Sequence, residues 1–184
     1  IPMGRKLRNS RTKRNQTCRT SRWPFKKPTA QAPPLNNLDF RFEIKEVVLE
    51  TLRGYAQHEG NEMCGVLTGS QIDEKTFRIS KVSPPCVAHN SRCGCVRDAV
   101  KANEFISLDY AESEHTRVYV GEWHTHPEKN PSPSGTDYNS IISNFVTSEI
   151  CVSFLLMIIV GTKSIYYSIY NGSEFVTIVP QIVD

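Results

Sequence analysis

The sequence predicts an α+β domain, a mixed β-sheet flanked by helices. Three patterns carry that expectation: apolar residues at helical spacing in an early stretch, several short runs with strand-like alternation, and a near-continuous apolar run at 151–160. No segment repeats at a fixed period, which sets aside solenoid and propeller architectures.

Taken in order, Ile44, Val47, Val48, Leu52 and Tyr55 recur at helical spacing and place an amphipathic helix near 44–58. A short strand over 63–68 follows, and 76–82 alternates as a second. A third is built on Val118 and Val120, with Gly121 expected to close it. Between the last two lie a cysteine-containing loop, 84–95, and a helix within 103–114 whose apolar period is untidy. A further helix runs from Gly135 to about Phe145. The 151–160 run, broken only by Ser153, fits a central strand buried on both faces and is about half the length that would span a bilayer as a helix. Gly161-Thr162 and Asn171-Gly172 punctuate two more strands, the second pair being a favoured hairpin turn.

Composition sets the bounds. A chain of 184 residues with 39% hydrophobic and 22% charged residues suits one globular domain with a core of its own. Of its 22 Lys/Arg, ten lie in residues 1–37, which contain no Asp or Glu; the 12 that remain face all 19 Asp/Glu, so the net charge of +3 joins a basic arm to a domain of about −7. The arm is Pro-rich and shows no apolar period, so 1–37 is expected to be disordered and 38–184 to fold. Its opening, Ile1-Pro2-Met3, leaves open whether all of it is native. With Trp23 and Phe25 beside the cations, the arm offers nucleic-acid binding as one reading and a solvated tail as the plainer one. Six scattered cysteines, a basic start and no membrane segment lead to the expectation of free thiols and a cytoplasmic setting.

The densest chemical signal is Glu122-Trp123-His124-Thr125-His126-Pro127, followed by Ser134-Gly135-Thr136-Asp137. Residues two apart on a strand share a face, so His124 and His126 can approach one cation, and a helix starting nearby brings Asp137 as a third ligand. Two imidazoles and a carboxylate suit Zn2+ and leave a fourth tetrahedral position for water, the pattern of a catalytic site. Each half has a plainer reading: two histidines at a strand end are often polar packing, and Ser134 with Asp137 resembles a capping box. Strand parity also sets Glu122 on the face of His124, as a second candidate base, a supporting group that orients an imidazole, or a solvated carboxylate. Cys93-Gly94-Cys95 with Cys86 and His89 offers the materials of a second zinc site, though the spacing is unusual for one.

His-Thr-His-Pro, six residues, then Ser-Gly-Thr-Asp resembles the H-x-H-P-x(6)-S-x-x-D signature of the JAMM, or MPN-type, metalloproteases. The segment Glu62-Met63-Cys64-Gly65-Val66-Leu67-Thr68-Gly69 is similar to that family's early strand, which opens on the catalytic glutamate. The resemblance covers about 38–180 and leans to the prokaryotic branch. It implies a cytidine-deaminase-like fold, zinc on His124, His126 and Asp137, Glu62 as general base, and Ser134 hydrogen-bonded to the oxyanion or the bound water. It also implies that loop 84–96 faces substrate. The implied activity is cleavage after the C-terminal glycine of a ubiquitin-like modifier or conjugated protein, alongside activating-like and conjugating-like enzymes in CBASS-type antiviral defence. Processing of sulfur-carrier proteins with Gly-Gly tails and a non-catalytic protein-binding module are the alternatives.

Overall fold

A computed structural model describes residues 40–184; the arm 1–37 and its boundary lie outside the described residues. In chain order the elements are β1 (Arg41–Lys45), α1 (Glu46–Gly54), β2 (Cys64–Asp73), β3 (Thr76–Val82), β4 (Val87–Ser91), β5 (Gly94–Arg97), α2 (Ala99–Glu112), β6 (Val118–Thr125), α3 (Gly135–Thr147), β7 (Leu155–Val160), β8 (Ile165–Tyr170), β9 (Phe175–Thr177) and β10 (Gln181–Val183). Eight strands form one mixed sheet in the order β10-β1-β3-β2-β6-β7-β8-β9, and β4 and β5 pair as a separate hairpin. This is the expected α+β architecture.

Strand β7 decides how the layers sit. Leu156, Ile158 and Val160 pack with Val48, Leu49 and Leu52 of α1, while Leu155, Met157 and Ile159 pack with Ile141 of α3. Every residue of β7 is buried, as a strand covered on both faces requires. Helix α2 covers the face that α3 covers, through Ala102, Phe105 and Ile106 against Val66 and Tyr119.

Several boundaries differ from expectation. Ile44 belongs to β1, where Phe42 and Ile44 alternate inward and pair in parallel with Phe77 and Ile79 of β3; helical spacing lost there to a long-range partner. Cys151 and Val152 precede β7 rather than extending it, and the 84–95 loop contains a hairpin. Gly121 does not close β6. The strand continues to Thr125, and Gly121 carries it past Leu156 of the parallel neighbour β7 at a separation where a Cβ would collide with Leu156 backbone atoms.

The free-thiol expectation is corrected for two cysteines. Cys64 on β2 and Cys95 on β5 form a disulfide, with Cα atoms 6.1 Å apart; two strands remote in sequence bring them together, which spacing alone does not reveal. Cys95 is thereby unavailable to the second zinc site, and among the described residues His124, His126 and Asp137 are the group placed to share a cation.

Candidate metal centre

The centre sits where β6 ends and α3 begins, and a β-bulge aims it. Leu67 pairs with Gly121 but Thr68 pairs with Tyr119, so β6 holds an extra residue at Val120. Before the bulge Val118 and Val120 enter the core beneath α1; beyond it Trp123 enters that same core, three positions after Val120. A bulge reverses the parity of a strand. Glu122 and His124 therefore face α3 although they share even numbers with Val118 and Val120. Trp123 is fully buried and stacked on Tyr55, with ring centroids 4.8 Å apart, which anchors the strand between them.

The three expected ligands converge. His124 Nε2 lies 3.2 Å from His126 Nε2 and 3.3 Å from Asp137 Oδ1, and His126 Nε2 is 3.7 Å from Asp137 Oδ2. Nitrogen and oxygen ligands on a tetrahedral cation stand roughly 3.3–3.6 Å apart, given metal–ligand bonds of about 2.0–2.2 Å. Two imidazoles and a carboxylate are a donor set that zinc accepts, and the observed separations bracket that spacing. Asp137 is set by a capping box at the start of α3: Ser134 N–H and Oγ–H both donate to Asp137 Oδ2, at 2.6 and 2.7 Å, and Asp137 N–H donates back to Ser134 Oγ. The capping and ligand readings thus coexist in one motif, with Oδ1 left turned to His124.

Glu62 stands beside the triad, its Oε1 4.0 Å from His126 Nε2. Burial raises its carboxyl to about 7; the charge of His124 opposes this rise, and Asp137 and Glu128 add to it. Burial and the adjacent His124 hold His126 below its usual pKa, favouring the neutral imidazole that a metal requires. Burial alone would raise Asp137, but hydrogen bonds to His124 and Ser134 bring it well below the carboxylate range.

Glu122 shares this pocket in a different setting. Its Oε1 accepts from Tyr119 Oη and Asn144 Nδ2, each at 2.9 Å, and its carboxylate pairs with Arg97 of β5. Burial pushes the Tyr119 phenol up to about 12, so it remains a donor. Arg97, Tyr119 and Asn144 were not singled out from the sequence. Asn144 sits two helical turns after Asp137, a periodicity that was there to be read, whereas the Arg97 contact depends on the fold of the hairpin.

Glu62, the triad, Ser134 and the Cys64–Cys95 disulfide all line one groove of about 560 Å³, walled by β5 on one side and α3 on the other.

An α+β sheet with a His-x-His strand end and an Asp-bearing helix start defines a metal-centre domain of the JAB type. A family model described as prokaryotic homologs of the JAB domain matches residues 45–172, and the chain belongs to that family. It is 31% identical over 137 residues to the CD-NTase/cGAS isopeptidase of Vibrio cholerae serotype O1, covering 73% of this chain and 85% of the relative. Proteins of that name from Escherichia coli strain TW11681 and Pseudomonas aeruginosa are 30% and 38% identical, over 72% and 68% of this chain and 83% and 80% of theirs. The solution structure of a Desulfitobacterium hafniense protein matches with a TM-score of 0.57 at 18% identity, covering 77% of this chain and 91% of that one, and supports the fold.

Proposed function

We propose that this protein is a zinc-dependent isopeptidase that hydrolyses the bond joining the C-terminal glycine of a CD-NTase, or of a ubiquitin-like modifier, to another protein. The observation that carries the reading is the convergence of His124, His126 and Asp137 within 3.2–3.7 Å of one another beside a buried glutamate, in a chain whose relatives are named as isopeptidases. Activating-like and conjugating-like enzymes are the partners such a reaction implies.

The chemistry divides among the side chains. His124, His126 and Asp137 would hold the metal, and zinc there would supply Lewis acidity and acidify a water toward a pKa of about 7. Glu62, a buried carboxylate beside the triad, would take the proton from the attacking water and return it to the departing amine. Ser134 fixes the Asp137 carboxylate through two hydrogen bonds, and such partners tune ligand basicity. Glu122, tied to Arg97, Tyr119 and Asn144, holds the groove wall in place and leaves proton transfer to Glu62. Terminal glycines suit close approach to the triad because they lack a side chain and accept many backbone conformations.

The test is a purified conjugate of a CD-NTase with a lysine-bearing partner. Cleavage is expected with the zinc-loaded protein, loss of cleavage after chelation, and its return with stoichiometric zinc. Cleavage that persists at an undiminished rate in chelator rejects the metal-dependent reading.

A further inference from the structure

The segment carrying Glu62 belongs to no helix or strand; it bridges α1 and β2. A general base on such a segment needs its position fixed from outside, because a displacement of about 1 Å can cost roughly a hundredfold in rate.

Two side chains that the mechanism does not use supply that fixation. Gln57 is 3% exposed. Its Nε2 donates to Gly60 O and to Arg92 O at the turn of the β4–β5 hairpin, both at 3.0 Å, and its Oε1 accepts from Thr125 Oγ1 at 3.4 Å. Thr125 lies between the two histidine ligands, and its Oγ1 in turn accepts the N–H of Met63, the residue after Glu62. The second side chain, Asn90 of β4, donates to Glu62 O at 2.6 Å, while Glu62 N–H donates to Ser91 O at 2.8 Å. Both backbone polar groups of Glu62 are therefore held by the hairpin, and Gln57 ties the hairpin turn to the strand between the ligands. The Cys64–Cys95 disulfide adds a covalent link between the hairpin and the start of β2, two residues beyond Glu62.

We propose that Gln57 and Asn90 are positioning residues for Glu62, and that through them the β4–β5 hairpin sets where the base stands relative to the ligand triad. The proposal rests on the reading of Glu62 as general base. Neither residue lines the groove, so neither is expected to contribute to substrate affinity by contact.

Gln57→Leu keeps the volume of the side chain and removes three hydrogen bonds; Asn90→Ala removes the bond to Glu62 O and a long, exposed one from Asn61 Nδ2, and is the milder change. Each is expected to lower kcat about 10–100-fold, with KM within about twofold of wild type and one zinc retained. A purely structural role would lower the melting temperature and leave kcat of the folded, zinc-loaded variant unchanged, and that result overturns the proposal. A second readout needs no turnover: in both variants amide hydrogen exchange at Glu62 and Met63 should rise while exchange in β7 stays slow. Unchanged protection at 62–63 overturns the proposal even if no substrate is ever cleaved. Increased exchange with an inactive wild type would instead place the failure in the assigned reaction.

Discussion

Glu62 is the residue whose charge state matters most. Its raised carboxyl pKa means that, without metal, the folded protein binds this proton more tightly than the unfolded chain does. Between about pH 4.5, the ordinary value, and about 7 the native state keeps a proton that the unfolded state has released, so Glu62 makes stability fall as pH rises through that window. His126, held below its usual pKa, acts with the opposite sign as pH drops below the ordinary imidazole value. The difference between wild type and Glu62→Gln isolates the glutamate: thermal melts of the metal-free proteins should show the variant gaining on wild type from pH 5 to 7, and parallel curves would contradict the raised pKa. At the ligands, His124→Ala and Asp137→Ala should lose most bound zinc by elemental analysis. Ser134→Ala should retain it more weakly, by about 10–100-fold in affinity, and should lose about 1 kcal/mol of stability with the helix cap.

At the scale of elements, the bulge in β6 and the hairpin β4–β5 do the positioning. Gly121 lets β6 lie against β7, so Gly121→Val should destabilise the fold and weaken zinc binding together, measured by thermal melts and metal titration; a stable variant with full affinity would show that the close approach is dispensable. Ile158→Ala in β7 should cost about 2–5 kcal/mol in denaturant melts without changing the ligand set. Alkylation before reduction should label exposed Cys93 and spare Cys64 and Cys95. These elements were also the least legible ones. The grouping of His124, His126 and Asp137 could be anticipated because the three sit in one short stretch, Glu62 was added by the family resemblance, and β7 could be read because burial on both faces leaves a nearly unbroken apolar run. Strand β1 hid inside a helical periodicity, and the bulge is invisible until Thr68 is seen to skip Val120 for Tyr119. The disulfide and the Arg97–Glu122 pair depend on hairpin residues meeting partners far away in the chain.

The molecule as a whole places the His124, His126 and Asp137 cluster at the edge of its apolar core. The clusters around β7 are apolar, and the three candidate ligands stand outside them at a strand end and a helix start. The metal-free protein should therefore keep native secondary structure by circular dichroism, with zinc raising the melting temperature; a random-coil spectrum after chelation would make the metal a folding requirement. No helix among the described residues is long and apolar enough to cross a membrane. The central claim is that the triad and Glu62 form one hydrolytic centre for isopeptide bonds, and product mass spectrometry on a defined conjugate tests it most directly. Zinc-loaded wild type should cut between the terminal glycine carbonyl and the lysine ε-amine, while Glu62→Gln, still carrying zinc, should leave the conjugate intact. An intact conjugate with wild type, a cut at another bond, or equal cleavage by Glu62→Gln would contradict it.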